Sequence, residues 1–162
     1  NCANTDGPCE RGSGAMTGMG GWISVQHRRP EWVVGFLFST DQRRVVLIEK
    51  QRPEWQRGKL NGVGGKIEAN ETPTDAVRRE FSEETGADID GWRQFCELRF
   101  QAGTVYFFVA THNAEVTSTT DEKVDWYETS DIANLPTIPN LRWLVPMATD
   151  KDGVCAVVEE PL

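Results

Sequence analysis

Long hydrophobic runs are missing from this 162-residue chain. No stretch approaches the roughly eighteen apolar residues that a membrane-spanning helix needs, so such a helix is excluded. An excess of positive charge is missing too. Seventeen Lys and Arg stand against twenty-five Asp and Glu, a net charge of −8, which disfavours DNA or long RNA as the main partner. Small phosphorylated ligands are still compatible, because bound cations can reverse the local field. Cysteine is scarce: Cys2, Cys9, Cys96 and Cys155 are scattered and form no disulfide framework. Histidine is scarcer, and His27 and His112 have no visible partner in the sequence. No charged-then-apolar leader opens the chain. These absences make the cytosol the expected compartment, with neither a membrane nor a nucleic-acid polymer as partner. The length fits one domain with a sizeable core, as a monomer or homodimer.

Residues 1–20 are rich in Gly, Ser, Asn and Asp and nearly devoid of apolar side chains. They read as a flexible leader, in part an expression leader, with Met16 or Met19 as a natural start. The folded domain is expected over 21–162. Within it, Trp32 to Ser39 and Arg44 to Lys50 read as a hairpin around Thr40-Asp41-Gln42. Gln51 to Lys59 reads as a polar connection, and Leu60 to Ile67 as a glycine-bearing segment with a short strand. Trp92 to Phe100 and Thr104 to His112 read as two further strands, and Val124 to Tyr127 as a short one. Ser130 to Leu135 reads as a short turn or helix. Ile138 to Ala148 is expected to be helical, with Pro139 in its first turn and Pro146 ending or kinking it. Val154 to Val158 is a candidate edge strand. Strands, one embedded helix, more strands and a final helix suggest a mixed sheet between helices.

The most informative stretch is Gly65 to Ala87. Thr72 is a natural N-cap, Pro73 suits the first helical position, and Gly86 is the expected stop. On the helix between them Glu80, Glu83 and Glu84 fall at i, i+3 and i+4, three carboxylates on one face within one turn. Such a cluster is either solvated or gathered around a cation, and hard divalent ions such as Mg²⁺ and Mn²⁺ take oxygen ligands of this kind. Val77 and Phe81 form a neighbouring apolar stripe that can anchor the helix. Arg79 is placed to pair with Glu71 and tie the entering loop down. Upstream, Gly62-Val63-Gly64-Gly65 permits close backbone approach, and the Gly64 carbonyl can point into the acidic cluster. Lys66 can meet phosphate oxygens.

The complete spacing, G-x5-E-x7-R-E-U-x-E-E-x-G-U, resembles the box of the Nudix family, with Ala87 where relatives carry a larger aliphatic residue. The resemblance covers residues 31–147. It implies an α/β/α sandwich with a mixed β-sheet and hydrolysis of nucleoside diphosphates linked to another moiety. It further implies Mg²⁺, with Mn²⁺ as a substitute, held by Gly64, Glu80, Glu83 and Glu84. Lys59 to Ile67 is similar to the segment before the box in the MutT-type subgroup, where the Asn61 position lies near the base; Asn61 can equally stabilise a turn before Gly62. Leu135 to Asn140 resembles the loop from which the bacterial type reads oxidised guanine with an Asn. Asn140 is then either that reader or an ordinary helix-start residue. The paired aspartates and tryptophan of the vertebrate type are absent from that stretch.

Glu122, or its neighbour Asp121, falls where some relatives supply a further metal ligand or base; otherwise it is a solvated loop acid. Lys50 and Arg52 are candidate phosphate contacts or plain surface charges. Trp126 fits the core better than a base-stacking role. The resemblance thus implies a catalytic set of Glu80, Glu83, Glu84, Arg79 and Glu71, with Glu80 as base and Glu122 as its rival. The leading reaction is cleavage of (deoxy)nucleoside triphosphates to monophosphate and pyrophosphate, including modified nucleotides such as 8-oxo-dGTP. The alternatives are an ADP-ribose or nucleotide-sugar pyrophosphatase and a non-catalytic nucleotide sensor.

Overall fold

Alternation of side chains builds two cores on one sheet. In the computed structural model, which describes residues 29–150 and 156–159, strand β1 (Glu31–Phe38) sends Phe36 and Phe38 to one face and Val33 and Leu37 to the other. β2 (Arg44–Glu49) does the same, with Val45 and Leu47 against Val46 and Ile48. Strands apolar on both faces belong in the middle of a sheet covered on both sides. The covers are α1 (Pro73–Thr85), whose Ala76, Val77 and Phe81 join one core, and α2 (Leu141–Ala148), whose Leu141, Leu144 and Val145 join the other. The α/β/α sandwich expected from the sequence is what the chain forms.

The remaining strands are β3 (Leu60–Asn61), β4 (Arg93–Phe100), β5 (Gly103–Thr111), β6 (Lys123–Glu128) and β7 (Ala156–Glu159). They order as β3-β2-β1-β5-β4-β7, with β6 also pairing β2. β1 runs parallel to β5 from Glu31↔Thr104 to Phe38↔Thr111, whereas β4 and β5 form an antiparallel hairpin, so the sheet is mixed. β1 and β2 meet at Phe38↔Val45. The glycine segment enters beside them. Its start pairs with β2 through Ile48↔Asn61 and Glu49↔Leu60, and its continuation bridges to β1 through Gly35↔Val63 and Trp32↔Lys66.

Local signals account for the boundaries. The Thr72 hydroxyl accepts the Asp75 N–H at 3.1 Å, Pro73 opens α1, and Gly86 closes it at φ 71°, a left-handed conformation that favours glycine. One expectation needs correction. Helix α2 starts at Leu141, so Pro139 lies outside it, and Asn140 occupies the cap position with no side-chain cap bond. Pro146 sits inside α2, where it withholds one N–H, and the helix ends two residues later. The polar connection after β2 contains a 3-10 turn at Glu54–Gln56, too short to leave a periodic signal. The expected leader, Cys2, Cys9, Cys155 and His27 lie outside the described residues.

Candidate active site

The glycine segment lies against α1 at van der Waals range. Val33 N–H donates to the Gly65 carbonyl (2.9 Å) and Gly35 N–H to the Val63 carbonyl (2.7 Å). In extended backbone successive peptides face opposite ways, so the polar groups of Gly64 are turned away from β1. The Gly64 backbone lowers the Glu84 carboxyl against the effect of burial, which sets Gly64 beside that acid. Contact is so close that a Cβ on Gly65 would stand 2.4 Å from the Glu80 carboxyl carbon, and one on Gly64 would stand 2.0 Å from the Val33 carbonyl oxygen. Main chain leaves no room for a side chain at Gly64, whereas at Gly65 the obstruction is the end of the Glu80 side chain.

Three acids on α1 and Glu71 before it differ sharply in surroundings. Arg79 is the hub: its guanidinium donates twice to Glu71 (2.7 and 2.9 Å), once to Glu80 (2.9 Å), once to Glu83 (3.2 Å) and once to the Lys66 carbonyl (3.2 Å). The Arg79–Glu71 pair expected from the spacing is therefore present, and the Arg79 bond holds the Glu71 carboxyl below its ordinary range. Burial pushes the Glu80 carboxyl up, against the opposing pull of Arg79. Burial also pushes Glu84 up to about 7, with Glu80 and Glu122 adding repulsion and Lys50 opposing it. One oxygen of Glu84, Oε2, is buried with no hydrogen-bond partner. Glu83 is the outermost of the three.

Across from α1, Glu122 is buried at 6% exposure, so it is not a solvated loop acid. Lys50 Nζ forms an ion pair with its Oε2. The Gln51 N–H donates to its Oε1 at 2.6 Å. Its neighbour Asp121 is exposed and pairs with Arg52 at 3.2 Å. Lys50 and Arg52 are thus both matched to acids. Lys66 is exposed and contributes its backbone carbonyl to Arg79.

On the α2 side of the sheet a cavity of about 710 Å³ opens beside Gly64 and Gly65. Its apolar wall comes from Trp32, Leu98, Phe100, Val105 and Phe107. Asn61 and Asn140 line it as well, with Lys50 and Arg52 at its edge. The Asn61 Oδ1 accepts the Gly62 N–H at 2.8 Å, so the turn-stabilising alternative holds for that atom. The Asn140 Oδ1 is buried with no partner. Trp126 lies elsewhere: it packs on the α1-side core, donates to the Ala114 carbonyl and carries Arg44 over its ring at 5.2 Å.

Residues 28–146 match the NUDIX domain family model. This chain is a Nudix hydrolase. A mouse relative named oxidized purine nucleoside triphosphate hydrolase is 26% identical over 121 residues, covering 70% of this chain and 78% of its own length. A Yersinia pestis relative named GDP-mannose pyrophosphatase is 31% identical over 110 residues, covering 62% of this chain and 54% of its own length. The chain thus spans about half of that second relative. The structure of a MutT protein from Bacillus halodurans superposes with a TM-score of 0.64 at 23% identity, covering 77% of this chain and 85% of the other. That likeness concerns the fold. Ala87, the small residue at the end of the Nudix box, is buried in the α1-side core.

Nudix hydrolases generally use divalent cations, and the donor set suits one. Glu80 and Glu84 are half-buried acids held close enough to repel, and the orphaned Glu84 Oε2 lacks the partner that a buried carboxylate oxygen requires. Yet among the described residues no three acidic, His or Cys side chains stand gathered as ligands. Arg79 engages both Glu80 and Glu83 through its guanidinium. The sequence pattern missed one feature entirely. Lys50 and Glu122 are 72 residues apart, and only the pairing of β2 with β6 at Glu49↔Lys123 brings them together.

Proposed function

We propose that this Nudix hydrolase cleaves (deoxy)nucleoside triphosphates to nucleoside monophosphate and pyrophosphate with the aid of Mg²⁺, or Mn²⁺ in its place. One observation carries the reading: a single glycine segment separates an acid-faced helix from a cavity walled by aromatic rings and two amides. A polyphosphate chain laid along that segment puts its charge beside the acids and its base in the cavity. The name of the mouse relative supports the same substrate class, and 8-oxo-dGTP belongs among the substrates to be tried.

Glu83 and Glu84, with Glu80 and the Gly64 carbonyl, are the groups that would hold the cation. When bound, it neutralises phosphate charge and makes nearby water more acidic. The water oxygen attacks an internal phosphorus, the bridging P–O bond breaks, and pyrophosphate departs with that bond's electron pair. Glu80 takes the water's proton; its burial already favours the protonated form. Glu122 suits this step less, because Lys50 and the Gln51 N–H engage both of its oxygens. It pairs with Lys50, whose positive charge also opposes the rise of the Glu84 carboxyl. Arg79 fixes Glu71 and Glu80, so the entering loop and the base are set together. Positioning and charge stabilisation supply most of the acceleration in such reactions.

The 31% identity to the GDP-mannose pyrophosphatase favours nucleotide sugars as the second reading. A pyrophosphate- and phosphate-release screen over nucleoside triphosphates, 8-oxo-dGTP, ADP-ribose, GDP-mannose and diadenosine polyphosphates with Mg²⁺ separates the two. Rapid triphosphate cleavage is the expected result. Fast ADP-ribose or GDP-mannose cleavage with inert triphosphates would replace it with the second, and binding without turnover would point to a sensor.

A further inference from the structure

The chemistry proposed above assigns no part to Trp55, an aromatic residue of the cavity. Trp55 is 61% exposed, although an indole carries a large apolar surface that folding usually covers. It lies in the 3-10 turn Glu54–Gln56 and lines the same cavity as Asn61 and Asn140. The turn is firmly built. Gly58 N–H donates to the Lys50 carbonyl, Lys50 N–H to that of Lys59, Gln56 N–H to that of Pro53 and Lys59 N–H to that of Gln56, all at 2.8–2.9 Å. A rigid turn therefore presents an indole that packs into neither core. A separate wall of the cavity already offers Trp32 and Phe100, stacked with centroids 5.9 Å apart and planes at 19°. The two cations that line the cavity with Trp55, Lys50 and Arg52, are paired with Glu122 and Asp121. The mouth thus favours a flat uncharged group over a phosphate.

We infer that Trp55 is a specificity-determining residue whose indole stacks on the nucleobase of the substrate. This rests on the nucleotide reading above. Base–aromatic stacking corresponds to a roughly ten- to hundred-fold change in affinity. The test compares wild type, W55A and W55F with Mg²⁺ on whichever nucleotide of the screen the wild type turns over fastest. W55A should raise KM about ten- to hundred-fold, with kcat within about threefold and an unchanged thermal midpoint, since an exposed ring leaves no hole in the core. W55F, which keeps a ring, should recover most of the loss. An unchanged KM in W55A overturns the inference and leaves the hydrolase reading standing. So does a lowered midpoint or a fall in kcat alone, either of which would make Trp55 structural. If the wild type turns over no nucleotide at all, the hydrolase reading fails first and the inference falls with it.

Discussion

Alanine placed at either of two adjacent glycines should damage this protein in opposite ways. At Gly65 the new methyl group would stand 2.4 Å from the Glu80 carboxyl carbon, where ordinary contact begins near 3.4 Å. The carboxylate must retreat by about 1 Å, and a misplacement of that size costs on the order of 100-fold in turnover. The obstructing group is the end of a flexible side chain, so it can yield, and the fold should hold its thermal midpoint within about 2 °C. At Gly64 the methyl group meets the Val33 carbonyl oxygen at 2.0 Å. That is main chain inside a bridged strand pair, which cannot swing aside. Overpacking there costs about 3 kcal/mol, which lowers the midpoint by roughly 10 °C in a chain of this size. Pyrophosphate release and thermal unfolding, measured on both variants, make the test. Wild-type turnover in G65A would show that the Glu80 carboxylate has no role where it sits. A collapse of G65A equal to that of G64A would show that the glycine segment, and not Glu80, is what the methyl group disturbs.

Other outcomes follow from the same geometry. Glu83→Gln or Glu84→Gln should lower turnover by orders of magnitude with little loss of stability, read by kinetics beside thermal unfolding. Phe81→Ala removes a fully buried ring tilted against Trp92 at 5.1 Å and should cost about 3–5 kcal/mol by denaturant titration. The Arg79 bond lowers the Glu71 carboxyl, so the stability it contributes is present above the unfolded value near 4.5 and is lost as pH falls through the lower folded one. Glu71→Gln should therefore destabilise the protein at pH 7 and converge on wild type at strongly acid pH; parallel pH curves would refute this. Chelation with EDTA should abolish turnover, and restored Mg²⁺ should both revive it and raise the thermal midpoint.

What could be read from the residues alone was whatever lies close together along the chain. Thr72, Pro73 and Gly86 bracket α1 correctly because caps are local, and the Arg79–Glu71 pair follows from the helix and its entering loop. Glu122 was a candidate ligand or base from the sequence, but its burial escaped for the opposite reason. Its environment comes from strand pairing with β2, so a loop acid beside an exposed Asp121 looks no different in sequence from a solvated one. The start of α2 slipped for lack of a cap, since Asn140 makes no side-chain bond to the helix. Trp126 could be placed in the core because a tryptophan on a short apolar strand has few other destinations. Trp55 gave no such hint, being an isolated aromatic in a polar connection.

The acids of α1 and the aromatic-walled cavity lie on opposite sides of the β-layer, and the glycine segment runs between them. Under the proposed function, a substitution in the cavity wall would change which nucleotide is held and leave the acids on α1 where they are.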